Sequence, residues 1–95
     1  MPFTIYMTAA AVADLNTAKA YYEEKSIGLG GKLAAEVDTV INIIALNPLT
    51  YSTRYKEVRA ANISTFPYLI FYETNLEIQS VFILRVFNTY RKPFW

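Results

Sequence analysis

Phe66-Pro67-Tyr68-Leu69-Ile70-Phe71-Tyr72-Glu73 and Ile78-Gln79-Ser80-Val81-Phe82-Ile83-Leu84-Arg85-Val86-Phe87 decide how this sequence folds. Both runs are rich in aromatic and β-branched residues, and only Thr74-Asn75-Leu76-Glu77 separates them. A short break holding an Asn that tolerates φ > 0 predicts an antiparallel hairpin. Neither run alternates cleanly between apolar and polar. In the first, Tyr68, Ile70 and Tyr72 point one way and Leu69 and Phe71 the other. In the second, strict alternation sets Phe82, Leu84 and Val86 against Val81, Ile83 and Phe87. Strands that are apolar on both faces belong at the centre of a sheet with a cover on each side.

The preceding residues supply one cover. Phe3 to Met7 is short, apolar and β-prone, and predicts a first strand. Thr8 is placed to N-cap a helix opening at Ala9, since its hydroxyl accepts from a free amide of the first turn. Ala11, Leu15, Ala18 and Tyr22 recur at helical spacing and define its apolar face. Ser26 to Gly31 ends that helix, because glycine adopts the left-handed conformation readily. A second helix follows from about Gly31 to Leu46, with Leu33, Val37, Val40, Ile41 and Ile44 as its stripe. Asn47-Pro48 stops it. Another strand-like run extends from Tyr55 to about Thr65, and pattern alone does not assign its two sides. The expected architecture is α+β, in the order β-α-α-β-β-β, with a helical hairpin on one face of a small, mainly antiparallel sheet.

The chain of 95 residues forms one domain, 1–95, with room for a single modest core. Its 54% hydrophobic content is high for that size and predicts an exposed apolar patch of the kind that meets a partner. No stretch approaches the roughly 18 uninterrupted apolar residues of a membrane span, and no signal peptide is expected. There is no Cys and no His. Thiolate metal sites, disulfides, Ser-His-Asp and Cys-His nucleophiles and imidazole acid–base schemes are therefore excluded, and neither metal nor cofactor is expected. The charge is uneven. Residues 1–50 carry three lysines against five carboxylates, and residues 51–95 carry six cations against three. The strand half could attract an acidic partner or a phosphate backbone, or simply present a solvated surface.

Several local features occur together in one order: Ala11-x-x-Asp14-Leu15, Tyr21-Tyr22-Glu23-Glu24-Lys25-Ser26 leading to Gly28-Leu29-Gly30, and the Asn47-Pro48 stop. Val58-Arg59, Phe66-Pro67-Tyr68-x-Ile70-x-Tyr72 and a Val86-Phe87-Asn88-Thr89-Tyr90-Arg91-Lys92-Pro93 ending follow. Across nearly its whole length the chain resembles the RelE/ParE superfamily of bacterial type II toxins, also called plasmid stabilisation proteins. The resemblance implies a cytoplasmic toxin held inactive by a cognate antitoxin whose flexible segment wraps it. RelE-like members cut mRNA on the translating ribosome; ParE-like members poison DNA gyrase.

Cleavage would need a base, cationic stabilisation of the phosphorane and an acid. For a ribonuclease the resemblance offers Arg59, Arg85 and Arg91 as phosphate ligands and Tyr90 as the acid–base group. Pro67-Tyr68 stands where ribonuclease members have an Arg, and Asn88 stands where many relatives carry His. The Phe-Pro-Tyr run and the Thr89-x-Arg91-x-Pro93 ending look like the ParE branch, so the expected function is gyrase inhibition by protein contact. The alternatives are a ribosome-dependent endoribonuclease and a non-toxic interaction module. Candidate partner-binding residues are Arg59, Tyr68, Tyr72, Arg91, Phe94 and Trp95. Most candidates also have a plainer reading: Arg59 and Arg85 pairing with Glu57 or Glu73 across the sheet, Tyr68 and Tyr72 as packing groups, and Phe94 and Trp95 folding back onto the sheet. Whether the chain forms a homodimer is left open.

Overall fold

The computed structural model describes residues 2–90, so the candidates Arg91, Phe94 and Trp95 lie outside the described residues. Strand β1 (Thr4–Met7) leads into helices α1 (Ala9–Lys25) and α2 (Leu29–Leu46). Strands β2 (Thr53–Tyr55), β3 (Val58–Asn62), β4 (Tyr68–Asn75) and β5 (Ser80–Asn88) follow. They form one sheet in the order β1-β5-β4-β3-β2, in which β1 runs parallel to β5 and every other neighbouring pair is antiparallel. The two apolar runs occupy the interior of the sheet, as strands apolar on both faces require.

Thr8 caps α1 as its chemistry predicts: its Oγ1 accepts from the Ala11 N–H at 3.1 Å. Its hydroxyl also donates to the Leu84 carbonyl at 2.9 Å, which ties the start of the helix to β5. Ala11 and Ala18 are fully or almost fully buried, and Leu15 and Tyr22 pack beside them on the predicted face. Only Ser26, Ile27 and Gly28 separate the helices. Gly28 takes φ 88, and Glu23 accepts from the N–H groups of Gly28 and Gly30 at 2.9 and 3.0 Å. This clamp starts α2 two residues earlier than the sequence pattern suggests. Leu33, Val37, Val40 and Ile44 then pack on the sheet with Ile70, Tyr72, Val81 and Ile83.

Three local expectations are corrected. The run read as one strand from Tyr55 to Thr65 is a tight hairpin, β2 and β3, turning at Lys56 and Glu57, with Tyr55 opposite Val58. Lys56 takes φ 51 there, a conformation that a non-glycine residue adopts at a cost and that pattern reading does not anticipate. The β4–β5 connection sits two residues later than expected. Asn75 shapes it through its side chain, accepting from Glu77 and Ile78 N–H, while the positive φ of 49 falls on Gln79.

The third correction concerns which residues face the helices. Phe71 pairs with Arg85 but Tyr72 pairs with Ile83, so Leu84 is an extra residue in β5. This β-bulge reverses the alternation after it. Val86 therefore joins the core under the helices with Val81 and Ile83, and Phe87 faces the other way.

Candidate partner-binding surface

Next to the bulge, α1 meets both a side chain and a backbone group of β5. Asp14 accepts from Arg85 Nε at 2.7 Å, Arg85 Nη2 at 2.9 Å and the Val86 backbone N–H at 3.1 Å. The two-pronged contact with the Asp14 carboxylate raises the pKa of the Arg85 guanidinium. Arg85 thus does not pair with Glu57 or Glu73 as one sequence reading has it; the bulge swings it out of the cross-strand register and toward α1. A small cavity of about 210 Å³ lies beside this pair, lined by Asp14, Thr17, Tyr68, Arg85 and Asn88 among others.

Arg59 is held elsewhere. It lies on β3 facing the helix side, and its Nη1 donates to the Tyr51 carbonyl at 2.6 Å. Next to it, the Tyr72 hydroxyl donates to the Pro48 carbonyl at 2.6 Å. Burial pushes the Tyr72 phenol up to about 12, with the Arg59 charge opposing that rise. Both residues therefore fasten the loop after α2 to the sheet. Tyr72 is fully buried and Tyr68 is 8% exposed, stacked edge-on with Tyr22. Both of these candidates sit in the core cluster under the helices. Their alternate positions in β4 point them under the helices, and Tyr22 and Phe66 close the same aromatic cluster.

Of the residues offered for phosphate chemistry, the described ones, Arg59, Arg85 and Tyr90, are not brought together. Arg59 borders a cavity of about 770 Å³ at the β4–β5 turn end, which also holds Glu57, Glu73 and Glu77. One cation among three carboxylates is a poor setting for a phosphate. Arg85 lies at the other cavity, and Tyr90 is 86% exposed past the end of β5. Among the described residues no cluster of carboxylates suited to a metal ion occurs, and no helix is long and apolar enough to cross a membrane.

What the sheet does offer is its second face. Val58, Ala60 and Phe71 form a cluster there, with Leu69, Leu84 and Phe87 packed against it. The rings of Phe71 and Phe87 lie 5.6 Å apart. Nearer the β1 edge, Tyr6 stacks on Phe82 at 5.4 Å with Tyr6 half exposed. The sequence pattern groups Leu69 with Phe71, as here, but sets Phe87 with Val81 and Ile83, because nothing in the local pattern announces the bulge. The role of Asp14 was equally hidden, since its partners lie 71 and 72 residues away.

Two solved structures share this architecture. The chromosomal ParDE toxin–antitoxin system of P. aeruginosa contains a chain with TM-score 0.73 and 18% identity, over 90% of this chain and 95% of that one. The RelBE2 toxin–antitoxin complex of Mycobacterium tuberculosis contains one with TM-score 0.67 and 24% identity, over 93% and 99%. No curated protein matches the chain. The family model described as the ParE toxin of the type II toxin-antitoxin system, parDE, matches residues 5–93. From Ile5 at the sheet edge to Pro93 beyond β5, the chain belongs to the ParE toxin family of type II toxin–antitoxin systems.

Proposed function

We propose that this chain is a ParE-like toxin that inhibits DNA gyrase by protein–protein contact and is neutralised by a cognate antitoxin. One observation carries the choice over mRNA cleavage: both arginines that a nuclease would use in the strands are committed to internal partners, Arg59 to the Tyr51 carbonyl and Arg85 to Asp14. A phosphorane needs free, converging cations. The face opposite the helices is aromatic and aliphatic instead, a surface suited to a protein. The contact surface in this reading is that face, with Leu69, Leu84 and Phe87, together with Tyr90 and the chain-end residues Arg91, Phe94 and Trp95. The likeness to chains from toxin–antitoxin complexes supports an antitoxin as the second partner.

The reading predicts that purified protein inhibits supercoiling by gyrase, or traps cleaved DNA, in a dose-dependent way that added antitoxin relieves. Unimpaired supercoiling at micromolar toxin contradicts it.

A further inference from the structure

The C-terminal half of the chain has three carboxylates, Glu57, Glu73 and Glu77, and the fold brings all three to one cavity. The cavity exists because β4 outruns its neighbour. Pairing with β3 ends at Arg59 opposite Tyr72, whereas β4 continues beside β5 to Asn75. The resulting space of about 770 Å³ lies between the β2–β3 turn, which carries Glu57, and the β4–β5 turn, which carries Glu77. Its apolar side chains are Leu49, Leu76 and Phe82. Leu49 and Leu76 are 52% and 58% exposed, and Phe82 extends the apolar surface toward β1 by stacking on Tyr6.

The carboxylates at this rim differ from others in the chain. Asp14 forms the one ion pair among the described residues, with Arg85, and Glu23 and Glu36 accept from backbone N–H groups. Glu57, Glu73 and Glu77 are exposed and have no ion-pair partner among the described residues. Arg59 is the one cation among the described lining residues, and its Nη1 is turned to the Tyr51 carbonyl. Lys56, beside Glu57 in the turn, has its Nζ over the Tyr55 ring at 5.3 Å. Three like charges around exposed leucines repel one another, and a partner that brings cations relieves this while covering apolar surface. The same charges repel a phosphate backbone. A volume within the roughly 300–1,000 Å³ of ligand clefts admits a few side chains rather than a folded domain.

We propose that this cavity docks a cationic, amphipathic peptide segment of a partner protein. The apolar side chains of the segment lie against Leu49, Leu76 and Phe82, and its Lys or Arg side chains meet Glu57, Glu73 and Glu77. The site is separate from the apolar sheet cluster of Val58, Ala60 and Phe71. The inference holds whether or not the chain inhibits gyrase.

The probe is a short fluorescein-labelled peptide of leucine, lysine and glycine, titrated with the purified chain and followed by fluorescence anisotropy. Two comparison peptides carry glutamate in place of lysine and glycine in place of leucine. The lysine peptide is expected to bind with an affinity that falls as salt rises, and both comparison peptides at least about tenfold more weakly. The triple variant Glu57→Gln/Glu73→Gln/Glu77→Gln, isosteric at exposed positions, is expected to weaken binding about tenfold with far-UV circular dichroism retained. Leu76→Ser weakens it severalfold. Glu24→Gln and Ile27→Ser, at exposed positions of the helical hairpin, leave it unchanged. If the triple variant does not fold, the three-peptide comparison on the wild type decides. Equal binding of the lysine and glutamate peptides overturns the proposal, as does full affinity in the folded triple variant. Self-association of the wild type in sedimentation velocity that the triple variant loses assigns the cavity to a second copy, and also overturns it.

Discussion

Asp14 does more than pair with an arginine. Arg85 is 39% exposed and would lose little on leaving the pair, whereas the Val86 N–H donates to the Asp14 carboxylate in a partly buried setting. Arg85→Ala is therefore expected to cost under about 1 kcal/mol, the usual worth of an accessible ion pair. Asp14→Ala is expected to cost about 1–3 kcal/mol, because it leaves a partly buried donor unsatisfied. Urea denaturation of the two variants measures the difference, and equal losses would contradict it. Tyr72 gives a second prediction, with its sign fixed by burial. The fold raises its pKa from 10.0 to about 12, so it favours the neutral phenol. That stabilisation is complete below about pH 10 and is lost as pH rises toward 12. The stability of Tyr72→Phe relative to the wild type should therefore improve between pH 9 and pH 12, by comparison of urea midpoints across that range. A constant offset would show that Tyr72 titrates alike in both states.

The helical hairpin was legible in the sequence because its determinants are local. Thr8, the Ala11-Leu15-Ala18-Tyr22 face, the Leu33-Val37-Val40-Ile44 stripe and the Asn47-Pro48 stop each act within a few residues. What was not legible depends on residues distant in sequence: the bulge at Leu84, the carboxylate of Asp14 that accepts from the Val86 N–H, and the side on which Phe87 emerges. The turn at Lys56 escaped for another reason, since no Gly or Asn marks its positive φ. The glycine pair that opens α2 illustrates the same contrast. A Cβ on Gly30 would lie 2.5 Å from the Lys19 carbonyl oxygen, whereas one on Gly31 would meet nothing within 4 Å. Gly30→Ala should cost about 1–3 kcal/mol by forcing the helices apart. Gly31→Ala should stabilise by about 0.5–1 kcal/mol through helix propensity alone. Thermal melts of the two variants test this directly, and loss of stability in both would show that the hairpin tolerates no side chain at either site.

Among the described residues, one face of the sheet is covered by the helices and the other is formed by strand residues alone. The β-α-α-β-β-β order expected from the sequence is present, with the run read as one strand from Tyr55 to Thr65 folded into a short hairpin of its own. The candidate site was less legible than the fold, because a side chain's availability depends on what packs against it. Tyr68, Tyr72 and Arg59 carry groups that bind partners in principle, yet here they anchor the core and the loop after α2. The engagement of Arg59 and Arg85 by internal partners carries the proposal that the chain acts by contact and does not cut RNA. Mapping mRNA ends on actively translating ribosomes mixed with the purified toxin tests that claim most directly. The account predicts full-length message at toxin concentrations that halt gyrase; codon-proximal cuts that disappear in Arg59→Ala or Arg85→Ala would contradict it.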